Sequence, residues 1–281
     1  MIGIGELVRT LYGALRDSLY LYRRYMGVSF RSQLQYRASS VMLTVGNLAG
    51  TATEFLAIWA LFARFGSLRG WTLPEIALFF GVTDCAFALA EGIGRGFDTF
   101  SNLVKNGDFD RLLVRPRSTL LQVAGQELLL TRLGRLVEGA AVLVWAAVRL
   151  RVGWSAPHVA LLIGAIVGGA CLFYGLLVLQ ATLSFWTIET LELFNILTYG
   201  GIETARFPLT VYRPWLRRFF TLVVPLACFN YLPLGQLLGP PHSAGVSPVW
   251  QWTAPFAGIL FLLICLQIWK IGVRHYCSTG S

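Results

Sequence analysis

An all-α polytopic membrane protein is the fold class the sequence predicts, and three observations predict it. Apolar residues make up 56% of the 281-residue chain and charged residues only 13%, about half the charged share of a soluble domain. Mean hydropathy is +0.62. The apolar residues gather into runs of about 20, the length that crosses a bilayer core as a helix, and turns rich in arginine, glycine or proline separate them. The whole chain, 1–281, therefore reads as a single transmembrane domain of about six crossings.

Composition also excludes several classes. The net charge of +9 does not come from a basic cluster on a soluble domain; its distribution fits membrane orientation and anionic lipid, not nucleic acid. Cys85, Cys171, Cys228, Cys265 and Cys277 form no C-x-x-C pair, and four of them sit in apolar runs. That argues against a disulfide framework or a zinc site. His158, His242 and His275 lie far apart near segment ends and read as interfacial side chains. Residues 1–37 hold Arg9, Arg16, Arg23, Arg24, Arg31 and Arg37 without an unbroken apolar stretch, so no secretory signal is expected.

The first element, within 1–37, reads as an interfacial amphipathic helix over residues 6–35. Val8, Leu11, Leu15, Leu19, Tyr22 and Met26 recur at helical spacing, and Arg9, Arg16 and Arg23 follow one another on a different face. Such a helix lies in the interface with its arginines wet. The first span is expected over 39–63, with Glu54 its only charge and Gly46 and Gly50 at a spacing that permits close helix contact. The second is expected over 75–93 and carries Asp84 and Glu91. The third must begin near Leu128 to be long enough; Arg135 and Glu138, three apart on it, are placed to pair. The fourth, 159–185, has no charge, and Gly164 and Gly168 repeat the small-residue spacing.

The next stretch, 187–239, is interrupted by prolines and by the run RFPLTVYRPWLRRFF. Broken apolar runs at membrane depth suggest half-helices lining protein or a cavity. One crossing followed by a re-entrant segment over 206–239 is the expected layout. A last span over 252–273 ends with Lys270, Arg274 and His275. Basic residues at both termini and in 95–117 then make their side cytoplasmic. Arg206, Arg213, Arg217 and Arg218 fall outside, against that rule. If the 187–205 piece does not cross, these arginines move inside and 219–238 becomes the fifth span.

Between the second and third spans lies RGFDTFSNLVKNGDFDRLLVRPRS, residues 95–118. Phe97, Phe100, Leu103 and Val104 share one helical face, with Asp98, Asn102 and Lys105 towards the other. Gly107 breaks the helix, Asp108 is placed to cap a second one, Phe109, Leu112 and Leu113 form its apolar stripe, and Pro116 stops it. Two short helices with exposed phenylalanines and arginines suit a docking surface. An ordinary loop whose phenylalanines dip into lipid is the competing reading.

This loop, with GDFDRLLVRP at its end, resembles the coupling loop of the membrane subunit of type-2 ABC exporters, the ABC-2 permeases. The run FPLTVYRPWLRRFFTLVVPL at 207–226 is similar to that family's re-entrant segment, and the N-terminal helix to its interfacial elbow helix. The resemblance covers nearly the whole chain. It implies a permease that pairs with a second copy or a related permease and docks separate ATPase subunits, which bind the ATP and Mg; this chain itself would hold no cofactor. Carried over, Phe97, Asp98, Phe100, Asp108, Phe109, Asp110 and Arg111 are the expected ATPase contacts. It further implies a multi-pass protein of the bacterial plasma (inner) membrane, with both termini cytoplasmic and 207–238 outside.

ATP hydrolysis is not expected in this chain. A P-loop needs a Gly-rich turn followed by Lys and Ser or Thr, but Lys105 precedes Asn106 and Lys270 precedes Ile271. No catalytic triad or metal box is visible. Buried acids in spans are functional candidates by default. Glu54 and Asp84 are therefore translocation-path candidates, or they pair structurally, as Glu91 and Glu138 nearer the interface are expected to. Export of an amphiphilic or hydrophobic substrate is the leading reading; a proton- or ion-coupled carrier using Glu54 and Asp84 is the alternative.

Overall fold

The computed structural model describes residues 16–17, 20–28, 30–32, 35, 37–127, 132–150, 152–187, 191–240, 242 and 245–278, with the backbone alone for residues 37 and 191–193. Much of the expected N-terminal helix, including residues 1–15, lies outside the described residues; 20–28 are helical. Among the described residues there is no strand.

Helix α1 is Arg37–Phe65, and α2, Leu73–Asp98, follows a tight turn. The start of α2 is fixed locally: Thr72 and Glu75 form a capping box, with a Glu75 carboxylate oxygen accepting from the Thr72 backbone N–H at 2.7 Å. Three short helices come next: α3 (Phe100–Lys105), α4 (Asp108–Leu113) and α5 (Thr119–Ala124). Then come α6 (Arg132–Arg149), α7 (Ala156–Leu183) and α8 (Leu191–Ala205). The expected start of the third span at Leu128 lies outside the described residues. After a 3-10 turn over Leu209–Val211 follow α9 (Pro214–Leu222), α10 (Leu226–Phe229), α11 (Tyr231–Leu238), α12 (Pro248–Thr253) and α13 (Phe256–His275).

Among the described residues, four helical stretches are long and apolar enough to cross a membrane: Ala38–Phe65, Leu73–Lys105, Ala156–Leu183 and Phe256–His275. A fifth crossing is possible if Pro214–Leu222 and Leu226–Leu238, bent by 74°, form one broken span. Such a bend belongs either to a broken span or to a re-entrant loop. The two remaining pieces of the six-span layout differ from ordinary spans. Helix α8 has 15 described residues, about 22 Å of helix. Helix α6 carries Arg132, Arg135, Glu138 and Arg149. It lies antiparallel to α2, where three of these charges meet polar partners on neighbouring helices.

α2 is the axis of the bundle. It packs most extensively on α6 and α7, and α13 packs on the far side of α7. The α7–α13 crossing is close because Gly168 and Gly258 face each other; a Cβ on Gly258 would collide with the Gly168 carbonyl oxygen. Helix α1 is different. Val41, Met42, Leu43, Val45, Leu56 and Trp59 are exposed. A Cβ on Gly46 or Gly50 would meet nothing within 4 Å, so their small-residue spacing makes no contact among the described residues.

The part of the 206–218 arginine loop around Thr210 sits at the α1–α2 turn. Arg69 Nη1 donates to the Thr210 carbonyl and Trp71 Nε1 to the Thr210 hydroxyl, both at 3.1 Å. It is therefore at the opposite end of the 26-residue α2 from the 95–118 segment, about 39 Å away along the helix.

Candidate functional site

In the 95–118 segment the apolar face predicted from spacing is real, but it points inward. Phe97, Phe100 and Phe109 are fully buried, which corrects the expectation of exposed phenylalanines. The physical reason is an aromatic wall at the ends of two distant helices. Phe100 meets Phe109 and Trp269, each at 5.1 Å between centroids, and Phe109 meets Phe185 at 5.4 Å and Tyr276 at 5.0 Å. Phe97 lies 5.4 Å from Trp269, edge to face. These offset and edge-on arrangements are the favourable ones for aromatic rings. The segment is thus packed against α2, the end of α7 and the end of α13.

What remains outside combines basic side chains with two aliphatic ones. The side chain of Arg111 is 82% exposed, and it reaches Asp108 at 3.3 Å. Val114 is 85% exposed and Leu113 half-exposed, and Arg115, Pro116 and Arg117 follow on the surface. This apex has a defined shape, because the buried Gln122 donates from Nε2 to the carbonyls of Leu112 and Arg117. Gly107 does break the helix, at φ +71°, where a side chain would be strained. Asp108 sits in the first turn of α4 without the side-chain capping bond expected of it; Gly107 occupies the cap position. Asp98 faces inward, bonded to Arg95 and accepting from Gln180 at 3.4 Å. Asp110 accepts from the Ser278 hydroxyl at 2.6 Å, so the C-terminal tail folds over α4. Tyr276 stacks edge-on against Phe109, and burial there raises its phenol above the ordinary value, with Asp110 adding to the rise.

The two membrane acids meet at one guanidinium. Arg206 is 1% exposed. Its Nε and Nη2 reach the two Asp84 oxygens at 3.3 and 3.0 Å, and Nη2 is 2.7 Å from Glu54. Nη1 bonds Glu203 at 2.7 Å, and the whole group lies over the Phe80 ring at 4.7 Å. Arg135 adds a longer contact to Asp84 at 3.8 Å. The arrangement ties together α1, α2, α6 and the end of α8. A second, similar knot lies nearer the 95–118 segment, where Glu91 pairs with Arg132 at 2.5 Å and Arg95 at 3.7 Å. Glu138 takes a hydrogen bond from Thr51 in place of the expected pairing with Arg135.

This geometry bears on the two roles open to Asp84. Both its oxygens are bonded to a guanidinium that does not give up its proton. Asp84 is therefore occupied by a permanent cation, which suits a structural lock better than a relay or a cation-binding site. Arg206 and Glu203 were not singled out from sequence as partners. Arg206 read as one of four arginines in a loop. Its separate status leaves only one sequence clue: span acids at 54 and 84 need a counter-ion, and Arg206 is the arginine nearest the apolar piece that ends at Glu203.

Comparison with known families matches a family model described as ABC-2 family transporter protein to residues 48–280. No curated protein and no solved structure matches the chain.

Proposed function

The chain belongs to the ABC-2 family of transporter proteins, and on that premise we propose that it is the permease subunit of an ABC exporter driven by a separate ATPase subunit. The observation that carries the reading is the 95–118 segment. It presents an exposed basic apex on a base buried against three helix ends, which is what a part that receives force from another protein requires. The ATPase contacts assigned by resemblance divide accordingly. Asp108, Arg111 and the neighbouring Leu113–Arg115 are available to a partner. Phe97, Phe100 and Phe109 transmit through the fold, and Asp98 and Asp110 hold the segment to Gln180 and to the C-terminal tail.

ATP and Mg bind in the partner ATPase, and closure of its dimer moves the segment to switch access. The segment and both termini face the cytoplasm at a bacterial plasma membrane, in keeping with the arginines and lysines around them. A second copy or a related permease completes the pathway. An apolar cleft of about 440 Å³ between α1 and α6, lined by Phe55, Leu56, Trp59, Val142 and Trp145, supports an amphiphilic or hydrophobic cargo. The carrier alternative is not favoured, because Asp84 is held by Arg206.

Co-purification in mild detergent tests the proposal. The chain is expected to retain an ATP-binding cassette subunit, and reversing Arg111 and Arg115 to Glu is expected to release it. Purification of the intact wild-type chain from its native membrane without any ATPase would contradict it.

A further inference from the structure

We propose that the cleft between the α1–α2 turn and α9 binds the phosphate of an anionic phospholipid headgroup, in the leaflet opposite the 95–118 segment. The inference does not rest on the ATPase reading. The cleft has a volume of about 620 Å³, and Arg69, Tyr212, Arg217, Arg218 and Thr221 are among its lining residues. Arg69 is held in place: its backbone adopts φ +50°, the one positive φ at a non-glycine among the described residues, and its Nη1 bonds the Thr210 carbonyl. Arg217 and Arg218 are neighbours on α9 and both exposed, the former with its guanidinium 6.0 Å from the Tyr231 ring.

Charge balance separates these arginines from Arg206. Arg206 has carboxylates from Glu54, Asp84 and Glu203. Among the described residues, no ion pair to a carboxylate is made by Arg69, Arg213, Arg217 or Arg218. Three of these cations, Arg69, Arg217 and Arg218, thus line the cleft without a counter-ion among the described residues. Guanidinium forks match phosphate oxygens in geometry as well as charge.

The flanks of the cleft identify the source of the phosphate as a lipid. Leu222, which lines it, is 80% exposed, and Val223 and Trp215 are 60% and 66% exposed. Phe220 on the same helix is buried in the bundle. Helix α9 therefore offers tryptophan and aliphatic side chains outward beside its arginines, the composition of a helix lying at a membrane interface. A headgroup phosphate between Arg69 and Arg217–Arg218 places its acyl chains along those apolar side chains. This also accounts for basic residues on the face where the charge rule expects few: they are balanced by lipid.

Hydrogen exchange of residues 209–222 in nanodiscs of phosphatidylcholine, titrated with phosphatidylglycerol, tests the site locally. Phosphatidylglycerol is expected to slow exchange in this stretch. The Arg217→Gln/Arg218→Gln variant should need about fivefold more of it for each arginine removed, while Arg217→Lys/Arg218→Lys stays near wild type. Unchanged exchange over 76–90 of α2 confirms that the variant is folded; should it misfold, Arg218→Gln alone is measured in the same way. An equal response in wild type and the Gln variant overturns the site. Equal slowing by soluble glycerol phosphate in pure phosphatidylcholine overturns the lipid assignment.

Discussion

Where α2 ends, Phe97, Phe100 and Phe109 pack against Phe185, Trp269 and Tyr276; near its middle, Asp84 meets Arg206, which Glu54 and Glu203 also reach. The first cluster is apolar and shared among many neighbours, so the 95–118 segment, α2, α7 and α13 form one block at that end. The second is directional and converges on a single side chain. Helix α1 has few buried side chains; Phe62 and the Phe55 ring, 5.3 Å from Phe80 and 6.2 Å from Trp145, give it some apolar packing, and Glu54 to Arg206 and Thr51 to Glu138 are its polar links. The contrast teaches that a push on the segment is carried into the bundle by packing, whereas α1 is held by a thinner apolar contact and by polar links that can be broken singly.

Removing the shared cation is the most damaging way to break this arrangement. Arg206→Met should leave Asp84 buried with only the longer Arg135 contact at 3.8 Å and lower stability by about 3 kcal/mol, read as a large fall in detergent melting temperature. Retention of wild-type stability would show that the lock is not needed. Phe109→Ala comes next, at about 3 kcal/mol. It should also couple to Trp269→Ala in a double-mutant cycle, because the two rings are 6.4 Å apart in one cluster; strict additivity would break the single-block account.

Glu54→Gln sharpens the other half. Its side chain is 44% exposed, so the stability change should stay below about 1 kcal/mol. Hydrogen exchange in α1 over 48–60 should nevertheless quicken, while exchange over 76–90 does not. Uniform change in both would show that α1 is not separately attached. The smallest effect belongs to Arg111→Gln/Arg115→Gln at the apex, within about 0.5 kcal/mol in stability, with ATPase retention reduced all the same.

The span helices and the inner division of the 95–118 segment were legible because spacing encodes a face: Phe97, Phe100 and Val104 do share one, and Gly107 does break the chain. Spacing does not say what covers that face. The cover came from Phe185, Trp269 and Tyr276, distant in sequence, so buried rings read as exposed ones. The acids at Glu54 and Asp84 were visible as anomalies in apolar runs. Their partner was not, because Arg206 lies 122 residues beyond Asp84 and shares a loop with arginines that remain exposed. The charge rule, which treats those arginines alike, could not separate the neutralised one from the others. The charges of α6 were legible but their accommodation was not: Arg132, Arg135 and Glu138 meet partners on neighbouring helices, which spacing within one helix does not reveal.

Site-directed cross-linking to the ATPase tests the central claim most directly. With Cys277→Ser removing the exposed native thiol, Val114→Cys is predicted to form a covalent adduct with the ATP-binding cassette subunit through a short bis-maleimide, and Leu103→Cys, on the half-buried side of α3, to form little or none. Adducts from Leu103→Cys and none from Val114→Cys would contradict the account, because the docking face would then be the one the structure turns inward.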